Sequence, residues 1–147
     1  MNLRVYISGA FVGSRNWEAA ARRYELLGSM LKEQGFSVYL PHAHTDPIIN
    51  SELTADVVFM RDREEMRRSD VLLALLDEPS HGVGAEISMA LCNGMTVLGA
   101  CSCSQKVSRF IRGMLETSSN GTYFEYEDLK EVAQKVTELV TSKGATK

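Results

Sequence analysis

Two acidic residues carry the strongest chemical signal in this chain: Asp62, and Glu86 just beyond the run Pro79-Ser80-His81-Gly82-Val83-Gly84. Glu86 is expected in the first turn of a helix that begins after those glycines, at the carboxyl end of a buried strand. Open α/β sheets bind their ligands at that edge, and glycines there let a ligand approach the backbone. The helix macrodipole by itself favours an acid in a first turn, so position alone assigns Glu86 no role. Asp62 shifts the balance. It falls on the preceding helix, near the same end of the sheet if that helix runs antiparallel to the strand after it. A pair of carboxyl groups flanking one bond is what glycosidic cleavage uses. One attacks the anomeric carbon, the other handles protons, and the transition state is oxocarbenium-like. That chemistry requires no metal.

Other polar residues are weaker candidates. Ser80, followed by Gly82 and Gly84 at a helix amino terminus, can join backbone N–H groups in holding an anion. The loop Ser8-Gly9-Ala10-Phe11-Val12-Gly13-Ser14-Arg15 has the same capacity, without forming the dinucleotide fingerprint. Its candidate substrate contacts are Ser8, Gly9, Phe11, Gly13 and Arg15. His42 and His44 are placed as substrate-lining at best, and His81 as a weak proton shuttle. Asp70 is read as capping a turn, and Asp77 and Glu78 as a solvated loop. Lys106, Arg109 and Arg112, with Ser108 beside them, read as a solvated helical face. Cys92, Cys101 and Cys103 are odd in number and suggest neither a disulfide framework nor a zinc site. Nothing resembles a catalytic triad or a P-loop.

The elements that must position these groups alternate. Strands are predicted over Leu3–Ser8, Phe36–Leu40, Asp70–Leu76, Thr96–Ala100 and Thr122–Tyr126. Helices are predicted over Asn16–Gln34, Thr54–Arg68, Gly84–Asn93, Gln105–Leu115 and Asp128–Ser142, with Gly35 and Gly94 closing two of them. His42 to Leu53, holding Pro47, reads as a loop, and Gly144 to Lys147 as a frayed tail. The pattern specifies a single-domain α/β fold: a doubly wound, Rossmann- or flavodoxin-like sheet of five parallel strands with flanking helices. If the strand order is 2-1-3-4-5, the loops Ser8–Arg15 and Asp77–Gly84 meet at the switch point.

Bulk properties set the limits. The chain has 147 residues, enough for one domain, with 44% hydrophobic and 24% charged residues. A net charge of -3 argues against a nucleic-acid-binding surface, though not against one small phosphorylated ligand. No apolar run approaches the ~20 residues of a membrane span. The first residues lead straight into a strand with no signal-like apolar region, so a cytoplasmic location is the expectation.

The chain resembles the 2'-deoxynucleoside 5'-phosphate N-hydrolases, within the nucleoside 2-deoxyribosyltransferase superfamily. The resemblance rests on Asp62, then Ser69-Asp70-Val71, then Pro79-Ser80-x-Gly82-Val83-Gly84-x-Glu86. Val107-Ser108-x-x-Ile111-Arg112-Gly113 and Gly121-x-x-Phe124 extend it. The resemblance implies that Glu86 attacks C1' to form a glycosyl-enzyme. It implies that Asp62 assists the departing base and later activates water, and that Ser80 binds phosphate. Ser108, with Arg112 nearby, would reach the phosphate of a neighbouring subunit, making the active unit a homodimer. The loop Gly9–Gly13, with Tyr6 close to it, would wrap the substrate. Relatives often carry Ser and Arg where this chain has Ala10 and Val12, so Arg15 is expected to supply the cation. The activity implied is release of a free base and (deoxy)ribose 5-phosphate from a nucleoside monophosphate, without a cofactor. Two other readings share the framework: a deoxyribosyltransferase using Glu86 in the same way, and a nucleotide-binding module without catalysis.

Overall fold

Val71–Leu75 is wholly apolar and every residue in it is buried, which requires a sheet covered on both faces. The computed structural model, which describes residues 2–11 and 16–144, has that sheet. In chain order the elements are β1 (Arg4–Gly9), α1 (Trp17–Glu33), β2 (Ser37–Tyr39), α2 (His42–Thr45), α3 (Ala55–Arg67) and β3 (Val71–Leu75). They continue with α4 (His81–Cys92), β4 (Thr96–Ser102), α5 (Arg109–Thr117), β5 (Gly121–Tyr126) and α6 (Leu129–Gly144). All strands are parallel, in the order β2-β1-β3-β4-β5. The switch point therefore lies between β1 and β3, as the sequence predicts.

Two cores sandwich the sheet. On one face Tyr24, Leu27 and Leu31 of α1 and Val132, Ala133 and Val136 of α6 pack against Val5, Ile7, Leu73 and Leu98. On the other, Met66 of α3, Val83, Ile87 and Ala90 of α4 and Leu115 of α5 pack against Tyr6, Leu72 and Val97. Gly35 (φ +92°) and Gly94 (φ +75°) terminate α1 and α4 in the left-handed region, where side chains are disfavoured.

Three differences from the sequence reading bear on the site. α4 begins at His81 rather than Gly84, because Ser80 caps it, its side chain accepting from Val83 N at 3.4 Å. Capping and the burial of Val83 and Ile87 outweigh the poor helix propensity of Gly82 and Gly84. Glu86 consequently lies a full turn inside the helix, where its own position on the helix dipole is not the explanation for it. The segment read as a loop after β2 contains the short helix α2, closed by Thr45 Oγ1 bonding back to Pro41 O at 2.9 Å. α5 starts at Arg109, because β4 runs on to Ser102 and the chain then turns through Gln105 N to Ser102 O at 2.9 Å. Lys106 thus precedes the helix, and Ser108 occupies its N-cap position.

Two acids read as peripheral hold the sheet together. Asp70 Oδ2 accepts from Arg4 N at 2.8 Å, tying the start of β1 to the approach to β3. Asp77 is not a solvated loop residue. Its Oδ1 accepts from Ser102 N at 2.6 Å, and its Oδ2 accepts from Tyr126 OH at 2.6 Å and Arg23 Nη2 at 3.2 Å. It therefore joins β3, β4, β5 and α1. α6 extends to Gly144, and residues 145–147, most of the expected tail, lie outside the described residues.

Candidate active site

Alternate side chains of a strand share a face, so Tyr6 and Ser8 of β1 both turn toward α4. Both are almost fully buried. Tyr6 OH donates to Glu86 Oε1 at 2.9 Å, and the Ser8 hydroxyl donates to Glu86 Oε2. The carboxyl group is thereby fixed in rotation, with one donor on each oxygen. Burial pushes the Glu86 carboxyl above the usual carboxylate range; the Ser8 and Tyr6 hydroxyls oppose that shift, and the charge of Asp62 adds to it.

Asp62 of α3 faces the same space. Thr45 Oγ1 lies 3.3 Å from each of its carboxyl oxygens, and Tyr39 OH lies 3.5 Å from Oδ1. Burial pushes Asp62 upward as well, opposed by the Thr45 and Tyr39 hydroxyls. The Thr45 hydroxyl has one proton and touches both Asp62 and Pro41 O. Donated to Asp62, that proton supports the carboxylate. Donated to Pro41 O, it leaves Oγ1 as an acceptor for a protonated Asp62. The contact suits both protonation states, as an acid that later serves as a base requires.

Glu86 and Asp62 line one cavity of about 270 Å³. Its two sides belong to elements separated by β1. On the β3 side stand Ser80, Gly82 and Val83 at the start of α4; on the β2 side stand Pro41, His42, Thr45, Asp46 and, from α3, Val58. The first side suits an anion. It offers the N–H groups of a helix start, and Ser80, which accepts from Val83 N, keeps its own proton to donate. No lysine or arginine lines the cavity among the described residues. The other side is ringed. His42 stacks on Phe11, with centroids 5.6 Å apart and planes 9° apart, and its Nε2 lies 3.4 Å from Glu25 Oε1. Gly9 is required here for a packing reason: an added Cβ would come within 2.5 Å of the Tyr24 ring, whose OH donates to Ala10 O at 2.5 Å.

The cavity thus brings together Glu86, Asp62, Ser8, Gly9, Phe11, His42, Ser80 and Gly82. Gly13 and Arg15 lie outside the described residues. Gly84 is not at the cavity wall; it faces Ile111 of α5. Ser108 is exposed and also absent from the wall. Arg112 is engaged on its own surface, with its guanidinium over the Tyr123 ring at 4.6 Å and Nε 2.9 Å from Glu116 Oε1. His44 stacks on Tyr39 at 5.1 Å and does not line the cavity. The sequence reading missed Tyr39, Thr45 and Asp46, and gave Tyr6 only a place near the loop. Tyr6-x-Ser8 alternation on a strand was the available signal for one pair; Thr45 was hidden in a segment read as a loop. No group of three or more His, Cys, Asp or Glu side chains stands ready for a metal ion among the described residues.

Comparison with known proteins gives concordant results. A family model described as nucleoside 2-deoxyribosyltransferase matches residues 5–142. A protein of Thermofilum pendens, provisionally named 2'-deoxynucleoside 5'-phosphate N-hydrolase 1, is 31% identical over 94% of this chain and 95% of its own. The 5-hydroxymethyl-dUMP N-hydrolase of Mus musculus is 27% identical over 86% of this chain and 72% of its own. Among solved structures, a CMP N-glycosidase of Clostridium botulinum superposes with a TM-score of 0.68 at 26% identity, covering 92% of this chain and 98% of that one.

Proposed function

This chain belongs to the nucleoside 2-deoxyribosyltransferase family, and on that footing we propose that it hydrolyses the N-glycosidic bond of (2'-deoxy)nucleoside 5'-monophosphates. The carrying observation is Glu86, held by Tyr6 and Ser8, in one cavity with Asp62. The relatives named as nucleotide N-hydrolases and N-glycosidases support the substrate class.

In the proposed mechanism the 5'-phosphate lies against Ser80 and the start of α4, and the base lies toward α2. An oxygen of ionised Glu86 attacks C1'. The C1'–N bond breaks, its electron pair goes to the base, and protonated Asp62 delivers a proton to that leaving group. Asp62, now a carboxylate, takes a proton from water, whose oxygen attacks C1' and releases Glu86. The products are free base and (deoxy)ribose 5-phosphate, and both side chains return to their starting states. Desolvation of the pair helps: one carboxyl group holds its proton while the other is ionised, because two charges in one buried cavity repel.

The active unit in this reading is a homodimer. Ser108 and Arg112 lie off their own cavity, and a second copy would bring Ser108 to the phosphate. The test is base release from ribo- and deoxynucleosides and their 5'-monophosphates, with and without an acceptor base. Release from monophosphates alone is expected. Turnover that needs a second base would establish transfer instead, the reaction in the family model's description. Glu86→Gln should lower turnover by at least about 10³-fold, as loss of a nucleophile does; near-normal turnover would remove Glu86 from that role.

A further inference from the structure

Asp46 is only 2% exposed, yet it forms part of the cavity wall beyond Thr45. Its Oδ1 accepts from Ile48 N at 2.6 Å and from Ile49 N at 3.1 Å, which turns the chain after α2. Its Oδ2 takes no protein donor among the described residues and is not sealed from solvent. Pro41, Pro47 and Val58 contribute apolar side chains to the wall of the same cavity. A carboxylate nine-tenths buried with an open acceptor needs a donor to compensate its desolvation.

We propose that Asp46 selects the nucleobase, favouring an amino-bearing base whose exocyclic N–H donates to Oδ2. This rests on the glycosidase reading of the same site and deepens it. With phosphate at the start of α4 and Glu86 at C1', the base is the part of the substrate next to Asp62. Thr45 touches Asp62, and Asp46 lines the same cavity next to Thr45 in the chain, so Asp46 is the wall residue assigned to the edge of the base away from the sugar. An ionised carboxylate only accepts. Cytosine presents an amino group where uracil presents a carbonyl oxygen. The first pairs with Oδ2; the second sets two acceptors against each other in a buried place.

The deciding variant is Asp46→Asn. The amide oxygen continues to accept from Ile48 N and Ile49 N, so the turn is kept, while the amide NH₂ replaces Oδ2 and donates into the cavity. Wild-type kcat/KM should favour dCMP over dUMP, and CMP over UMP, by about ten- to a hundredfold, the range for a buried hydrogen bond to a charged group. In Asp46→Asn that ratio should fall by at least about tenfold, with uridylates gaining. A wild-type enzyme that treats both bases alike, or prefers uridylates, overturns the proposal, and does so even if the variant fails to fold. A folded variant with an unchanged ratio also overturns it. If the wild type releases no base from any nucleotide, the glycosidase reading fails separately, and calorimetric Kd values for CMP and UMP decide Asp46 by the same ratio.

Discussion

Glu86 and Asp62 are kept in a place that charge disfavours. Burial raises both carboxyl groups above their ordinary range, so the fold binds these protons more readily than the unfolded chain does. The associated stability is present at low pH and is lost as pH rises through the raised folded values. Glu86→Gln removes the charge while Ser8 and Tyr6 can still bond to the amide. It should therefore raise Tm at mildly alkaline pH by roughly 2–4 °C, the shift for about 1 kcal/mol at this size. The gain should shrink toward acid pH; a variant no more stable than wild type at alkaline pH would contradict it. Thr45 offers a second reading of the same chemistry. Its hydroxyl lowers Asp62 against the effect of burial, so Thr45→Val should move the alkaline limb of the kcat/KM profile to higher pH, where the acid must still be protonated. Tyr39, Tyr6, Arg61, His44 and Glu86 also face or act on Asp62 or its neighbours, and they stay in place. Thr45→Ser should restore the wild-type limb. A limb unmoved by valine would take Thr45 out of the proton path. The nearness of the two acids was legible in the sequence, because Asp62 and Glu86 fall on the successive helices that flank one buried strand. Their hydroxyl partners were not, since Tyr39, Thr45 and Tyr6 approach them only through the parallel pairing of β1, β2 and β3.

The order of the elements was legible at the scale of strands and helices, and their edges were not. Continuous apolar runs such as Val71–Leu75 and the closing glycines Gly35 and Gly94 carry local signals strong enough to read directly. The starts of α4 and α5 depend on finer details. Ser80 caps a turn that contains two glycines, and α5 begins only after β4 has run on to Ser102 and the chain has turned at Gln105. Ser80→Ala should cost about 0.5–1 kcal/mol, toward the low end for a cap because the bond is 3.4 Å long. Two other glycines report how tightly α5 sits on the sheet. A Cβ at Gly99 would lie 2.3 Å from Leu115 Cδ1, and one at Gly121 would lie 2.4 Å from Leu115 O. The end of a leucine can rotate away, whereas a helix carbonyl can move only with its backbone. Gly99→Ala should thus cost about 1–3 kcal/mol in urea unfolding, an ordinary overpacking penalty, and Gly121→Ala more. The reverse order would mean that α5 shifts as a unit more easily than Leu115 repacks.

Over the whole molecule, the most exposed large apolar side chain among the described residues is Phe110, 78% exposed and two residues from Ser108. Leaving it in water is unfavourable, at about 25 cal/mol for each Å² of apolar surface that association could cover. Ser108 is not used by the cavity of its own chain. The proposed homodimer would account for both facts: Phe110 would help to drive the contact, and Ser108 would complete the neighbour's phosphate end. Phe110→Asp places a charge in that contact without touching the cavity. It should convert the dimer to a monomer in analytical ultracentrifugation and raise KM for monophosphates by about tenfold or more, as loss of a charged-group hydrogen bond does. Ser108→Ala should raise the same KM while leaving the dimer intact, and should leave unphosphorylated nucleosides unaffected. The two variants separate assembly from phosphate contact. A Phe110→Asp monomer with wild-type KM would mean that each chain's site is complete by itself, with the phosphate held by Ser80 and the start of α4 alone.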